Sequence, residues 1–228
     1  MKDITRIKDV KMYLDTSVIG SIFKPEVKDL CRLFSYEAGD LICEKHGDIQ
    51  YLLFLVKGEV KVFTMLESGK VYLLRIEHAI SVYGDLEVLF DEAYSANVEA
   101  LNQCQCLGIP IGYIRRECLD SPEFLKYIIS SLSTRLERIT DMSTSNLLQS
   151  LKPKLASYLL AFRIDSNKVV AMTVTYTEVA EHLGTTYRHL SRVLKEMEEE
   201  GLIMKKGRII ELLELDILEA LAGDTYRY

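Results

Sequence analysis

Tyr187, Arg188, Ser191, Arg192 and Lys195 recur at helical spacing, so a helix carries them on a single face. That face joins hydroxyls, which donate and accept, to guanidinium and ammonium groups, the side chains that position on phosphate and read base edges. Thr186 and His189 flank it, and Lys205, Lys206 and Arg208 cluster around Gly207 further on. Other chemistry is poorly supported. Cys104 and Cys106, with Cys31, Cys43 and Cys118, are candidates for a soft-metal or redox site, but alternate residues of a strand share one face and equally line a core. His46, His78, His182 and His189 have no ligand spacing, and no nucleophile motif or carboxylate pair stands out. No metal site and no enzyme are expected.

The cationic face needs two crossing helices to hold it. Thr175 and Glu178 make a capping box for the first, Gly184 ends it, Thr185 can cap the second, and Gly201 stops that one. Ala180 supplies the small side chain that a steep crossing needs, and Gly184 the positive φ of the turn. Val179, Leu183, Leu190, Val193, Leu194 and Met197 form the buried stripes. Glu196, Glu198, Glu199 and Glu200 look contrary to an anion-binding role, and a solvated charge run is the bland account of them. It does not explain Ala180 and Gly184 at motif spacing, nor the basic hairpin that follows. Arg192 with Glu196, and Lys195 with Glu199, are i,i+4 pairs worth roughly 0.3 to 0.5 kcal/mol each at best.

Upstream, short alternating or apolar runs over 51–56, 60–63, 71–76 and 98–101 are punctuated by glycine, with Glu67-Ser68-Gly69-Lys70 as a hairpin turn. They predict an all-β barrel or jelly roll. From Ser121 to about Ser150 glycine is absent, Pro122 marks a helix start, and Leu125, Ile129, Leu132, Leu136 and Ile139 recur every three or four residues. This stripe either packs on the β unit or forms a parallel dimer seam, and its length favours the seam. After Lys152-Pro153 come a helix, a strand over 168–174, the two crossing helices, and two apolar runs around Lys205-Lys206-Gly207-Arg208 that read as a wing. The fold class is α+β: an N-terminal double-stranded β-helix or jelly roll (1–120), a long dimerisation helix (121–150) and a C-terminal winged helix-turn-helix (151–228).

The 228 residues, 48% of them hydrophobic, suffice for real cores. A net charge of -6 confines any nucleic-acid contact to a small basic patch. Five cysteines without a signal-like start predict free thiols and a cytoplasmic protein, and the absence of a long apolar run predicts no membrane span.

The order of these modules resembles the CRP/FNR family of transcription regulators over nearly the whole chain. "YEAGDLICEKHGDIQYLLFLVKGEVKVF" (36–63) is similar to its β roll, "YGDLEVLFDEAYSANVEA" (83–100) to its phosphate-binding cassette, and Tyr187-Arg188-His189-Leu190 resembles its YeiL-like branch. The resemblance implies an effector pocket at Gly84, Asp85, Leu86, Tyr94 and Ser95. It also implies double-stranded DNA, a second copy of the chain, a small effector and RNA polymerase as partners, with no membrane. Cyclic-AMP-binding members carry Gly-Glu-Leu and then Arg-Ser in the cassette, where the Glu holds the ribose and the Arg neutralises the phosphate. Asp85 can still accept from a hydroxyl, but Tyr94 stands in the Arg position and offers only a neutral donor, which argues against cyclic AMP. No cofactor is assigned. The family's Arg-Glu near the start of the recognition helix reads Tyr187-Arg188 here, while Arg192 keeps the place of its second Arg; the resemblance thus implies Arg192 for a bidentate guanine contact, worth roughly 1 to 3 kcal/mol of discrimination, in a DNA site that should differ. The alternative is a ligand-binding signalling module whose helix-turn-helix mediates protein interaction.

Overall fold

The computed structural model describes residues 1–65, 71–90, 92–162, 168–172 and 174–222, with the side chains of 16, 71, 72 and 141–148 also set aside. The turn expected at 67–70 lies outside the described residues. Two compact units result, Met1–Thr134 and Arg135–Tyr228.

The first unit opens with β1 (Lys2–Asp3), helices α1 (Ile7–Thr16) and α2 (Ile19–Ile22) and a 3-10 turn, Pro25–Asp29. Next come β2 (Arg32–Tyr36), β3 (Leu41–Cys43), β4 (Tyr51–Lys57), β5 (Glu59–Met65), β6 (Val71–His78), β7 (Ser81–Tyr83) and the cassette helix α3 (Asp85–Phe90). Strands β8 (Asn97–Ala100) and β9 (Cys104–Pro110), the single turn α4 (Ile111–Tyr113), a π turn and the first half of the long helix α5 (Pro122–Leu148) complete it, and the rest of α5 is counted with the second unit. A five-stranded antiparallel sheet, β1-β2-β9-β4-β7, faces a four-stranded one, β3-β8-β5-β6.

The first sheet is covered on both faces, which is why β4 reads as a near-continuous apolar run instead of an alternating one. Leu53 and Leu55 point between the sheets with Phe34, Tyr36, Tyr83 and Val98. Leu52 and Phe54 point the other way, onto α1, α2 and the start of α5. Phe23 joins these parts, with its ring centroid 6.0 Å from Phe54 and 5.9 Å from Phe124.

Helix α5 contains 27 residues and is about 40 Å long. Phe124 and Ile128 are buried in the roll's outer core, and Leu125 and Leu132 pack partly against it. Ile129, Leu136 and Ile139 are instead exposed at 63%, 65% and 48%, so the expected stripe divides between covered and open positions.

The second unit adds α6 (Leu151–Ala161), β10 (Val169–Ala171), α7 (Tyr176–His182), α8 (Tyr187–Glu199), β11 (Ile203–Lys206), β12 (Ile209–Leu212) and α9 (Leu215–Ala222). Pro153 sits in the first turn of α6, where its missing N–H breaks no helical bond. The three strands pair antiparallel in the order β10-β12-β11. Val179, Ala180 and Leu183 of the α7 segment meet Leu190, Val193, Leu194 and Met197 of α8 in a core where none is more than 4% exposed.

The turn between α7 and α8 corrects one expectation. Thr186, not Thr185, caps α8, its Oγ1 accepting from the His189 N–H at 3.3 Å. Thr185 is committed to closing α7, because its N–H donates to the Ala180 carbonyl at 2.8 Å while Gly184 takes φ 65°.

His182 belongs to this core, 4% exposed, with its ring 5.9 Å from Tyr158. Burial lowers its pKa to about 4. The folded state therefore stays neutral at His182 while the unfolded chain takes up a proton below about pH 6.5, so stability is lost as pH falls from about 6.5 to about 4. The loss should reach about 3 kcal/mol at the lower end. Urea unfolding at stepped pH is expected to show a steeper acid decline in the parent than in His182→Leu.

Candidate nucleic-acid interface and effector cassette

The capping box is formed. Thr175 Oγ1 accepts from the Glu178 N–H at 3.2 Å, and Glu178 Oε2 accepts from the Thr175 N–H at 2.7 Å. A buried cation secures the other end of α7, which the sequence did not reveal. Lys154 of α6, 4% exposed, donates from Nζ to the Leu183 carbonyl at 2.9 Å, and burial lowers its pKa. A cation suits a helix C-terminus, where carbonyls lack intrahelical partners. Lys154 precedes Leu183 by 29 residues, so no local pattern announces the contact.

With α7 fixed, α8 presents Thr186, Tyr187, Arg188, Ser191, Arg192 and Lys195 to solvent. His189 is half-buried, its Nδ1 lying 3.1 Å from Thr185 Oγ1. It lies at the edge of the face and not within it.

Each of the four glutamates has a partner. Glu196 lies 3.9 Å from Arg192 and Glu199 lies 3.3 Å from Lys195, both exposed pairs worth at most a few tenths of a kcal/mol. Glu198 Oε1 accepts from the Lys205 N–H at 2.8 Å, and Glu200 pairs with Lys152 of α6. The acidic end of α8 therefore ties the helix to the wing and to α6. The cations nearer the N-terminus keep the outer face.

The wing is the β11–β12 hairpin with Gly207 and Arg208 at its tip. Lys206 and Arg208 are exposed, but Lys206 lies 3.0 Å from Glu211. Lys205 is half-buried, with its ammonium 4.4 Å from the centre of the Tyr176 ring. The three wing cations are thus unequal, a distinction invisible in the run Lys-Lys-Gly-Arg.

In the roll, Gly84 takes φ 87° at the entry to α3, a conformation that disfavours a side chain. Asp85 is 2% exposed, while Leu86 faces outward at 39%. Tyr94 is 8% exposed, and its hydroxyl donates to the Tyr51 carbonyl at 3.4 Å and hydrogen-bonds the Cys43 thiol. Burial raises the Tyr94 phenol well above its ordinary range. Ser95 donates its N–H at 3.0 Å and its hydroxyl at 2.7 Å to Glu87 Oε1. Glu87 is 7% exposed and was not anticipated; it precedes Ser95 by eight residues, a separation with no local signature.

Cys104 and Cys106 both point into the core between the sheets, with Cys43. Burial pushes Cys43 up to about 12 and Cys118 up to about 11, which keeps these thiols protonated and unreactive. Among the described residues, no three His, Cys, Asp or Glu side chains are grouped to hold a metal ion.

Comparison with known proteins assigns the two units. The cyclic nucleotide-binding domain matches residues 33–121 and the Crp-like helix-turn-helix domain matches 153–221. The chain is 28% identical over 200 residues to the regulatory protein YeiL of Escherichia coli O157:H7, covering 87% of this chain and 90% of that protein. It is 25% identical over 190 residues to the cAMP-activated global transcriptional regulator CRP of Haemophilus influenzae, covering 79% and 83%. In fold it is similar to a CRP-family transcriptional regulator from Thermus thermophilus, with a TM-score of 0.71 at 23% identity over 85% of this chain and 98% of that one. These relatives are regulators and not enzymes. With a cyclic-nucleotide-binding-type roll followed by a capped helix-turn-helix, the chain belongs to the CRP/FNR family of DNA-binding transcription regulators.

Proposed function

We propose that this regulator works as a homodimer reading a near-palindromic DNA site, with α8 of each protomer in successive major grooves about 34 Å apart. The observation that carries this reading is the exposed α8 face of Tyr187, Arg188, Ser191, Arg192 and Lys195, held above a closed core while every nearby glutamate is engaged. Arg192 reads guanine, and Tyr187 and Arg188 read or position at neighbouring places. Thr186 and His189 frame the face, and Lys205, Lys206 and Arg208 supply the wing's charge. The second copy joins through the open part of the α5 stripe, where Ile129, Leu136 and Ile139 leave apolar surface uncovered at heptad spacing. Membership of the family supports a cytoplasmic location and RNA polymerase as a further partner. Among the described residues no helix is long and apolar enough to cross a membrane.

An effector held by the roll would bias how the α5 helices pair and so alter the freedom of the DNA-binding units. Cassette chemistry supports an effector other than cyclic AMP. Tyr94 brings no positive charge, and both Ser95 donors are turned to the Glu87 carboxylate, which repels a phosphate beside it.

Arg192→Ala should weaken binding to a palindromic fragment by roughly 1 to 3 kcal/mol and relax the base preference at one position of each half-site. Anisotropy titrations read this directly, and a parent protein that retains no fragment of its own promoters would defeat the proposal. Leu136→Glu should sediment as a monomer; a dimer of undiminished stability would remove the seam. In titration calorimetry, cyclic AMP is expected to give no heat of binding at micromolar concentration.

A further inference from the structure

The wing is held at its tip as well as along its strands. The Tyr176 hydroxyl donates to the Gly207 carbonyl at 3.0 Å, and the Met172 N–H donates to the Arg208 carbonyl at 2.8 Å. The Tyr176 ring also lies under the Lys205 ammonium at 4.4 Å, while Glu198 of α8 accepts from the Lys205 N–H at 2.8 Å. Tyr176 is the first residue of α7, so the helix that supports α8 also grips the hairpin beside it. A two-residue turn with Gly207 at φ 64° would otherwise be a hairpin tip free to sample several positions.

We infer that Tyr176 is a positioning residue for DNA binding. It pre-orders the wing so that Arg208, exposed at the tip, meets phosphate without an ordering cost on association. Lys205 serves inside this device: its ammonium is spent on the Tyr176 ring, where a cation gains from the negative face of the π system. Arg208 is thereby the wing cation most available to DNA, because Lys206 is drawn to Glu211. The assignment rests on the proposal that the wing touches phosphate, and the experiment separates the two.

Binding to a cognate and to an unrelated duplex is measured across a salt series for the parent, Tyr176→Leu, Tyr176→Phe, Arg208→Ala and the Tyr176→Leu/Arg208→Ala double variant. Arg208→Ala should reduce the slope of log K against log salt by about one phosphate contact. Tyr176→Leu should weaken both duplexes by the same factor, about three- to tenfold, with its slope moving toward that of Arg208→Ala. The double variant should be no weaker than the worse single one, the coupling that a purely structural role would not produce. Additive losses, or an unchanged slope in Tyr176→Leu beside a reduced one in Arg208→Ala, overturn the role of Tyr176 and leave the wing contact standing. An unchanged slope in Arg208→Ala removes the wing contact, and the role of Tyr176 with it. If Tyr176→Leu does not fold, Tyr176→Phe decides, since it deletes only the hydroxyl: a uniform loss of about twofold or more supports the assignment, and parental affinity overturns it.

Discussion

The recognition surface depends on how closely α7 and α8 approach at their turn. Ala180 is 1% exposed at the crossing, and Gly184 takes a left-handed conformation that lets the chain reverse at once. A larger side chain at 180 would wedge the helices apart, and a β-carbon at 184 would strain the turn. Every outward residue of α8 takes its direction from this crossing, because a helix is rigid over the roughly one and a half turns that separate Tyr187 from Arg192. The same crossing explains Lys154. A helix ended so abruptly leaves carbonyls without partners in a place water cannot reach, and a buried ammonium from α6 satisfies one of them.

Charge in an acidic chain is handled by placement. The glutamates at the end of α8 are consumed by i,i+4 partners, by the Lys205 backbone and by Lys152. None of these contacts stabilises the fold by much at the surface. Their effect is electrostatic: each carboxylate is opposed by a nearby cation or N–H, Arg192 and Lys195 among them, so the acidic end of α8 adds little uncompensated negative field beside the cationic face.

The roll shows the same economy in its interior. In the cassette, Tyr94 spends its hydroxyl on Tyr51 and Cys43, and Glu87 takes both donors of Ser95. Polar groups buried this deeply must be satisfied by something. Here the protein's own groups satisfy those of Tyr94 and Ser95.

Wherever the physics is local, the sequence by itself determined the outcome: the capping box at Thr175, the end of α7 at Gly184, the apolar stripes and the outward cations of α8, and the strand runs of the roll. Helix periodicity, capping and strand alternation act over a few residues, so a short stretch contains its own instructions. Even there one residue shifted, since Thr185 and Thr186 are equally able to cap and only the closing bond to Ala180 chose between them. The tertiary structure decided what depends on distance along the chain. It split the α5 stripe between covered and open residues, set Glu87 against Ser95, put Lys154 beneath Leu183 and folded Tyr176 onto a wing 31 residues away. Such contacts form because packing brings remote polar groups into a dry interior or onto a shared edge, where each must find a partner.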